Sequence, residues 1–193
     1  MSTGEYNFKA LLEMDSSRAV ADLVVSAIGN NPEHFKTVLD LCFNETYPVA
    51  MRAARAIELC CEENPILIEP YLDEIIDKIQ TSKIDGVKRG LLKVVRDVDD
   101  IRKIKNIGLL TKLCFDWMSD KREAIAVRHY CTGILLRIVE IEPDLKNELI
   151  AVLENEIQLS DSTAFKKRTT KMIKKLTNKN KHAKNYYCDI DIS

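Results

Sequence analysis

Residues 64–88 read NPILIEPYLDEIIDKIQTSKIDGVK, and residues 142–166 read EPDLKNELIAVLENEIQLSDSTAFK. Laid over each other without a gap, Pro65 meets Pro143, Leu72 meets Ile150, Ile75 meets Leu153, Ile79 meets Ile157 and Gln80 meets Gln158. Ser82 then meets Ser160, and Lys88 meets Lys166. One register therefore holds through a turn, a helix-spaced apolar series and the start of a second helix. Self-similarity of this kind is the mark of a repeat architecture.

Working outward, a basic residue recurs early in the second helix of each unit: Arg18, Arg52, Lys88, Arg128 and Lys166, spaced 34, 36, 40 and 38 residues apart. Apolar residues follow steps of three and four almost throughout. Val49, Ala50, Ala53, Ala54, Ile57, Cys60 and Cys61 form one broad stripe, with Arg52, Arg55, Glu58 and Glu62 mostly off it. The same pattern runs from Val87 to Val95, from Ile125 to Ile138 and from Leu145 to Ile157. Asn30-Asn31-Pro32, Asn64-Pro65 and Glu142-Pro143 end one helix and open another. Weaker breaks fall at Asn44-Glu45-Thr46, Thr81-Ser82, Ser119-Asp120 and Ser160-Asp161-Ser162, where short polar side chains suit N-caps.

Two helices per unit at a period near 38 residues resemble the HEAT/armadillo class of repeats, most closely over residues 64–95 and 142–176. Asp15 and Asp85 precede Arg18 and Lys88 as that pattern favours, whereas Tyr47-Pro48 stands before Arg52. The resemblance implies an all-α fold, an α-α superhelix (solenoid) of about five helix pairs. Residues 1–177 are expected to form a single domain, followed by a polar, loose tail over 178–193. A helix pair cannot bury both apolar faces alone, so neighbours must stack. Ala50, Ala53, Ala54, Ala56, Gly90 and Gly133 are the residues expected to let stacked helices approach.

The composition agrees. With 46% hydrophobic residues in a chain of 193, global disorder is excluded. Six Gly and five Pro are too few for a turn-dense β-sandwich. The start, Met1 to Phe8, lacks the pattern of a secretory signal, and no apolar run is long enough for a membrane span. Six cysteines (42, 60, 61, 114, 131 and 188) include no CxxC pair and accompany only three His. They read as plain thiols of a reducing cytoplasm, with no metal. The alternative, a Cys60-Cys61 redox pair, closes poorly on a helix.

The formal net charge of −1 hides an asymmetry. Residues 1–162 hold 20 basic and 28 acidic groups; residues 163–188 hold nine basic groups and no acid. The chain therefore has an acidic body and a basic end.

No phosphate loop, GxSxG or HExxH motif occurs, so neither a catalytic residue nor a cofactor is assigned. The acidic groups Asp73-Glu74, Asp97 with Asp99-Asp100, and Glu154-Glu156 read as solvated faces. Arg55, Arg89, Arg96 and His129 fall on the second helices, which by analogy with HEAT-like arrays offer a partner-binding surface. Trp117, the only tryptophan, reads as packing between repeats or as an anchor for a partner. Lys166, Lys167, Arg168, Lys171, Lys174 and Lys175 form a basic patch, either a solubilising cap or an electrostatic footprint.

Three functions compete. The first is a non-enzymatic scaffold for a protein partner, itself monomeric or weakly self-associating. The second is nucleic-acid binding like that of the HEAT-like DNA-alkylation-repair family, to which no extended match is found. The third is a regulatory or lyase-type HEAT subunit, and no residue favours it.

Overall fold

Among the described residues, ten α-helices arise where period and punctuation place them. The computed structural model describes residues 6–178, and no strand occurs among them. The helices fall into five consecutive pairs. These are α1 (Phe8–Met14) with α2 (Arg18–Ile28), and α3 (Pro32–Asn44) with α4 (Val49–Glu63). Then come α5 (Leu72–Thr81) with α6 (Asp85–Asp97), and α7 (Ile107–Ser119) with α8 (Ile125–Ile141). The last pair is α9 (Lys146–Leu159) with α10 (Thr163–Thr177). Of the expected tail, 178–193, all but Asn178 lies outside the described residues.

Of the four weaker breaks expected to supply N-caps, only Ser160-Asp161-Ser162 does so. Helices α4, α6 and α8 start after Pro48, Ile84 and Ala124 with no side-chain cap. Other short polar side chains cap elsewhere. Ser17 accepts a hydrogen bond from the Val20 N–H, and Ser162 accepts one from the Phe165 N–H. Asn31 accepts from both Glu33 and His34, with Pro32 at the first helical position where its missing N–H costs nothing. At the other two proline joints the outcome differs from a simple helix start. Pro65–Tyr71 and Pro143–Leu145 form 3-10 turns before α5 and α9 begin. A third, Ile101–Lys103, joins α6 to α7. Asn64 and Glu142 end the preceding helices as expected, but the tighter coil takes up chain before the next helix can align with its layer.

The first helices form one layer and the second helices another. From α2 to α8, each second helix packs on the one before it. Small residues permit this. Ala50, Ala53, Ala54 and Ala56 are all at most 1% exposed. A Cβ added at Gly90 would lie 3.3 Å from the Ala54 Cβ, and one at Gly86 would collide with the Met51 side chain. A continuous apolar core runs between the layers, from Phe8 in α1 to Leu153 in α9.

Contacts one repeat apart tie the stack together. Lys9 pairs with Glu45, Lys103 with Glu69, and Lys93 with both Glu58 and Glu62. Cations also serve helix ends, whose last carbonyls lack partners within the helix. The Arg52 guanidinium donates to the carbonyls of Leu12 and Glu13 around the end of α1. The Lys78 ammonium donates to Phe43 O in α3, and Arg137 donates to Arg96 O in α6. Each reaches back into the preceding repeat.

Candidate functional site

The basic series seen in the sequence does not serve one purpose. Arg18 makes an exposed pair with Asp22. Arg52 caps α1. Lys88 pairs with Glu123 at 2.6 Å, with its ammonium 4.6 Å from the Trp117 ring centroid. The Arg128 guanidinium donates to Met118 O at the end of α7 and also to Glu156 in α9. Lys166 lies exposed on α10.

Place the five second helices on these residues, and the position two further on reads Ala54, Gly90, Tyr130 and Arg168 from the second pair to the fifth. Gly90 lets α6 seat on α4, and Tyr130 is accommodated between α8 and α6 with the Arg96 guanidinium 4.9 Å from its ring, whereas in α10 a cation stands at this place. The structure matches this change. Helix α10 packs on α9, but the seam between α8 and α10 stays open. A groove of 670 Å³ runs there, within the range of about 300–1,000 Å³ usual for binding pockets.

The groove is built from four elements. Met118 of α7 and Lys121 after it belong to the lining; Ile125, Ala126, Arg128, His129 and Thr132 line the α8 wall. Leu153, Glu156 and Leu159 of α9 form the floor, and Phe165, Arg168, Thr169 and Met172 form the α10 wall. Three apolar side chains are left in solvent: Ile125 is 84% exposed, Leu159 52% and Phe165 37%. Ile125 shares its face of α8 with Arg128, His129 and Thr132, opposite the buried Val127, Cys131 and Ile134. Glu156, read from the sequence as part of a solvated face, is instead only 5% exposed, and its carboxylate is neutralised by Arg128.

The residues singled out in the sequence do not come together in one place. His129 lines the groove. Arg55 is exposed on α4 and pairs with Glu58 at 2.9 Å. Arg89 is exposed on α6. Arg96 grips Asp97 through two hydrogen bonds, lies 4.9 Å from the Tyr130 ring centroid, and has its aliphatic stem over Gly133. Trp117 belongs to the first-helix layer and is half-buried under Lys88. Of the basic patch, Arg168 enters the groove wall; Lys166, Lys167, Lys171, Lys174 and Lys175 are exposed along α10. The groove's apolar residues went unread because single apolar residues on a polar helix face look like ordinary surface in sequence. Arg168 in the place of Gly90 was the available signal.

The described cysteines are structural; Cys188 lies outside the described residues. Cys42, Cys60, Cys114 and Cys131 are buried, Cys61 is half-buried, and all five are free thiols. Burial raises the Cys42 thiol to about 12 and the Cys60 thiol to about 11, so neither is a nucleophile near neutrality. Burial, with the Cys131 sulfur beside it, also raises Cys114. No group of three or more His, Cys, Asp or Glu among the described residues could hold a metal ion. No described helix is long and apolar enough to cross a membrane.

A family model described as a HEAT repeat domain matches residues 8–184, nearly the whole chain. The chain belongs to the HEAT repeat domain family. No curated protein and no solved structure matches it. HEAT repeats commonly mediate protein interactions and are generally non-catalytic. The paired helices, their period and their two layers are those of an all-α HEAT-type solenoid.

Proposed function

We propose that this HEAT repeat chain is a non-enzymatic scaffold that holds a protein partner on its repeat surface, in a reducing compartment such as the cytoplasm. One observation carries the reading: the seam between α8 and α10 exposes Ile125, Leu159 and Phe165 side by side in a groove. Apolar side chains gathered in a concavity with a polar rim are the usual form of an interaction site. The free, high-pKa thiols support the choice of compartment. Arg55 and Arg89, exposed on α4 and α6, offer further polar contacts on the repeat surface away from the groove.

The test is affinity purification from the native cell, comparing the wild-type chain with an Ile125→Ser/Leu159→Ser variant. A protein retained by the wild type and lost from the variant is the expected outcome. Recovery of no protein by either chain would contradict a scaffold role, and identical sets would place the binding surface elsewhere on the repeats.

A further inference from the structure

The chemistry of the groove specifies more than a generic partner. We propose that the α8/α10 seam receives an acidic amphipathic helix from a partner protein, its apolar stripe inserted between the two helices. This rests on the scaffold reading and narrows it to one occupant.

The apolar requirement follows from Ile125, Leu159, Phe165 and Met172, which face the space from both walls and the floor. Filling it with two or three Leu, Ile or Phe side chains would bury these residues and the partner's anchors together.

The helical requirement follows from the backbone. Both walls are α-helices, whose N–H and C=O groups already bond within themselves, so the groove has no strand edge to pair with. An extended peptide would bury unpaired amides. A helix satisfies its own backbone and presents anchors at i, i+3, i+4 and i+7. Helix α10, with 15 residues, gives a wall about 22 Å long, enough for a partner helix of similar length.

The acidic requirement follows from charge. Lys121 and Arg168 stand at the groove, and α10 carries six basic residues and no acid. The one acid lining the groove, Glu156, is buried against Arg128. Carboxylates on the partner's outer face would meet this field favourably, while a basic helix would be repelled.

A display library of random 16-residue peptides, selected on the full chain, tests this without presupposing a sequence. Counter-selection uses Ile125→Ser/Leu159→Ser, whose exposed sites should leave the circular-dichroism spectrum and melt unchanged. Enriched peptides should be rich in Asp and Glu with apolar residues at helical spacing. They should bind the wild type at least about tenfold more tightly than the double variant, with weaker binding to Arg168→Glu and at raised salt. Enriched peptides that bind the double variant equally well, or that lack an acidic surplus, would overturn the proposal while leaving the scaffold reading intact. No enrichment at all would also overturn the proposal, the scaffold reading being decided separately by the affinity purification. A dimer abolished by the double variant would assign the groove to a second copy, and displacement of the peptides by a short DNA duplex would assign it to nucleic acid. Either result also overturns the proposal.

Discussion

At the scale of the residue, the stack depends on a few places where side chains are small or absent. Ala54 is wholly buried, and its Cβ lies where a Cβ on Gly90 would make tight contact. Ala54→Trp should overpack that joint at a cost of about 1–3 kcal/mol. For a chain this size the melting temperature should fall by about 2–4 °C per kcal/mol. Gly108, early in α7, is the control, since a Cβ there meets nothing within 4 Å. Gly108→Ala should stabilise by about 0.5–1 kcal/mol. Thermal melts of the two variants should therefore move in opposite directions. The thiols give a second residue-scale check. Iodoacetamide at mildly alkaline pH should leave Cys42, Cys60 and Cys114 unmodified in the folded chain and modify them in denaturant, as read by mass spectrometry. The same burial has a sign. The unfolded Cys42 ionises near 9.0 and the folded one near 12, so its contribution to stability declines as pH rises between those values.

At the scale of the element, helix ends and turns hold the register between repeats. Arg52 links α4 to the end of α1 through Leu12 O, Glu13 O and the Ser16 hydroxyl. Arg52→Met keeps the stem and removes those donors, which should cost about 1.5–3 kcal/mol in denaturant unfolding. The turns before α7 and α8 share an Asp-x-Arg arrangement. In each, the Arg side chain and backbone N–H donate to the carboxylate two residues earlier: Arg102 to Asp100, and Arg122 to Asp120. These bonds hold both carboxyls down to about 2. A depressed folded pKa contributes stability above the ordinary value of 3.8, which is lost as pH falls through about 2. The melt should weaken over that acid window, and Asp100→Asn/Asp120→Asn should flatten the dependence.

At the scale of the whole molecule, the five-fold period, the polar caps and the proline joints made the all-α stack legible from sequence alone. The lengths of the connections were less legible. Nothing local distinguishes Pro65, which opens a 3-10 turn, from Pro32, which opens α3 directly. The groove was the least legible feature: Ile125, nine residues from the fully buried Ile134, lies on the opposite, mostly polar face of α8 and is 84% exposed, which in sequence looks like ordinary surface. That this face of α8 lines a groove depends on where α9 and α10 lie, a property of the assembled stack. Charge asymmetry, by contrast, was visible as a sum over residues, and the structure gives it a location along the α10 wall.

The second-helix layer, closed from α2 to α8, is open between α8 and α10. Methyl NMR with a soluble nitroxide measures this directly. An open seam should give strong broadening of the Ile125 methyl, with the Ile134 and Ile138 methyls of the same helix left sharp. An Ile125 methyl as protected as that of Ile134 would mean the seam is closed in solution, and would contradict the groove and the binding role built on it.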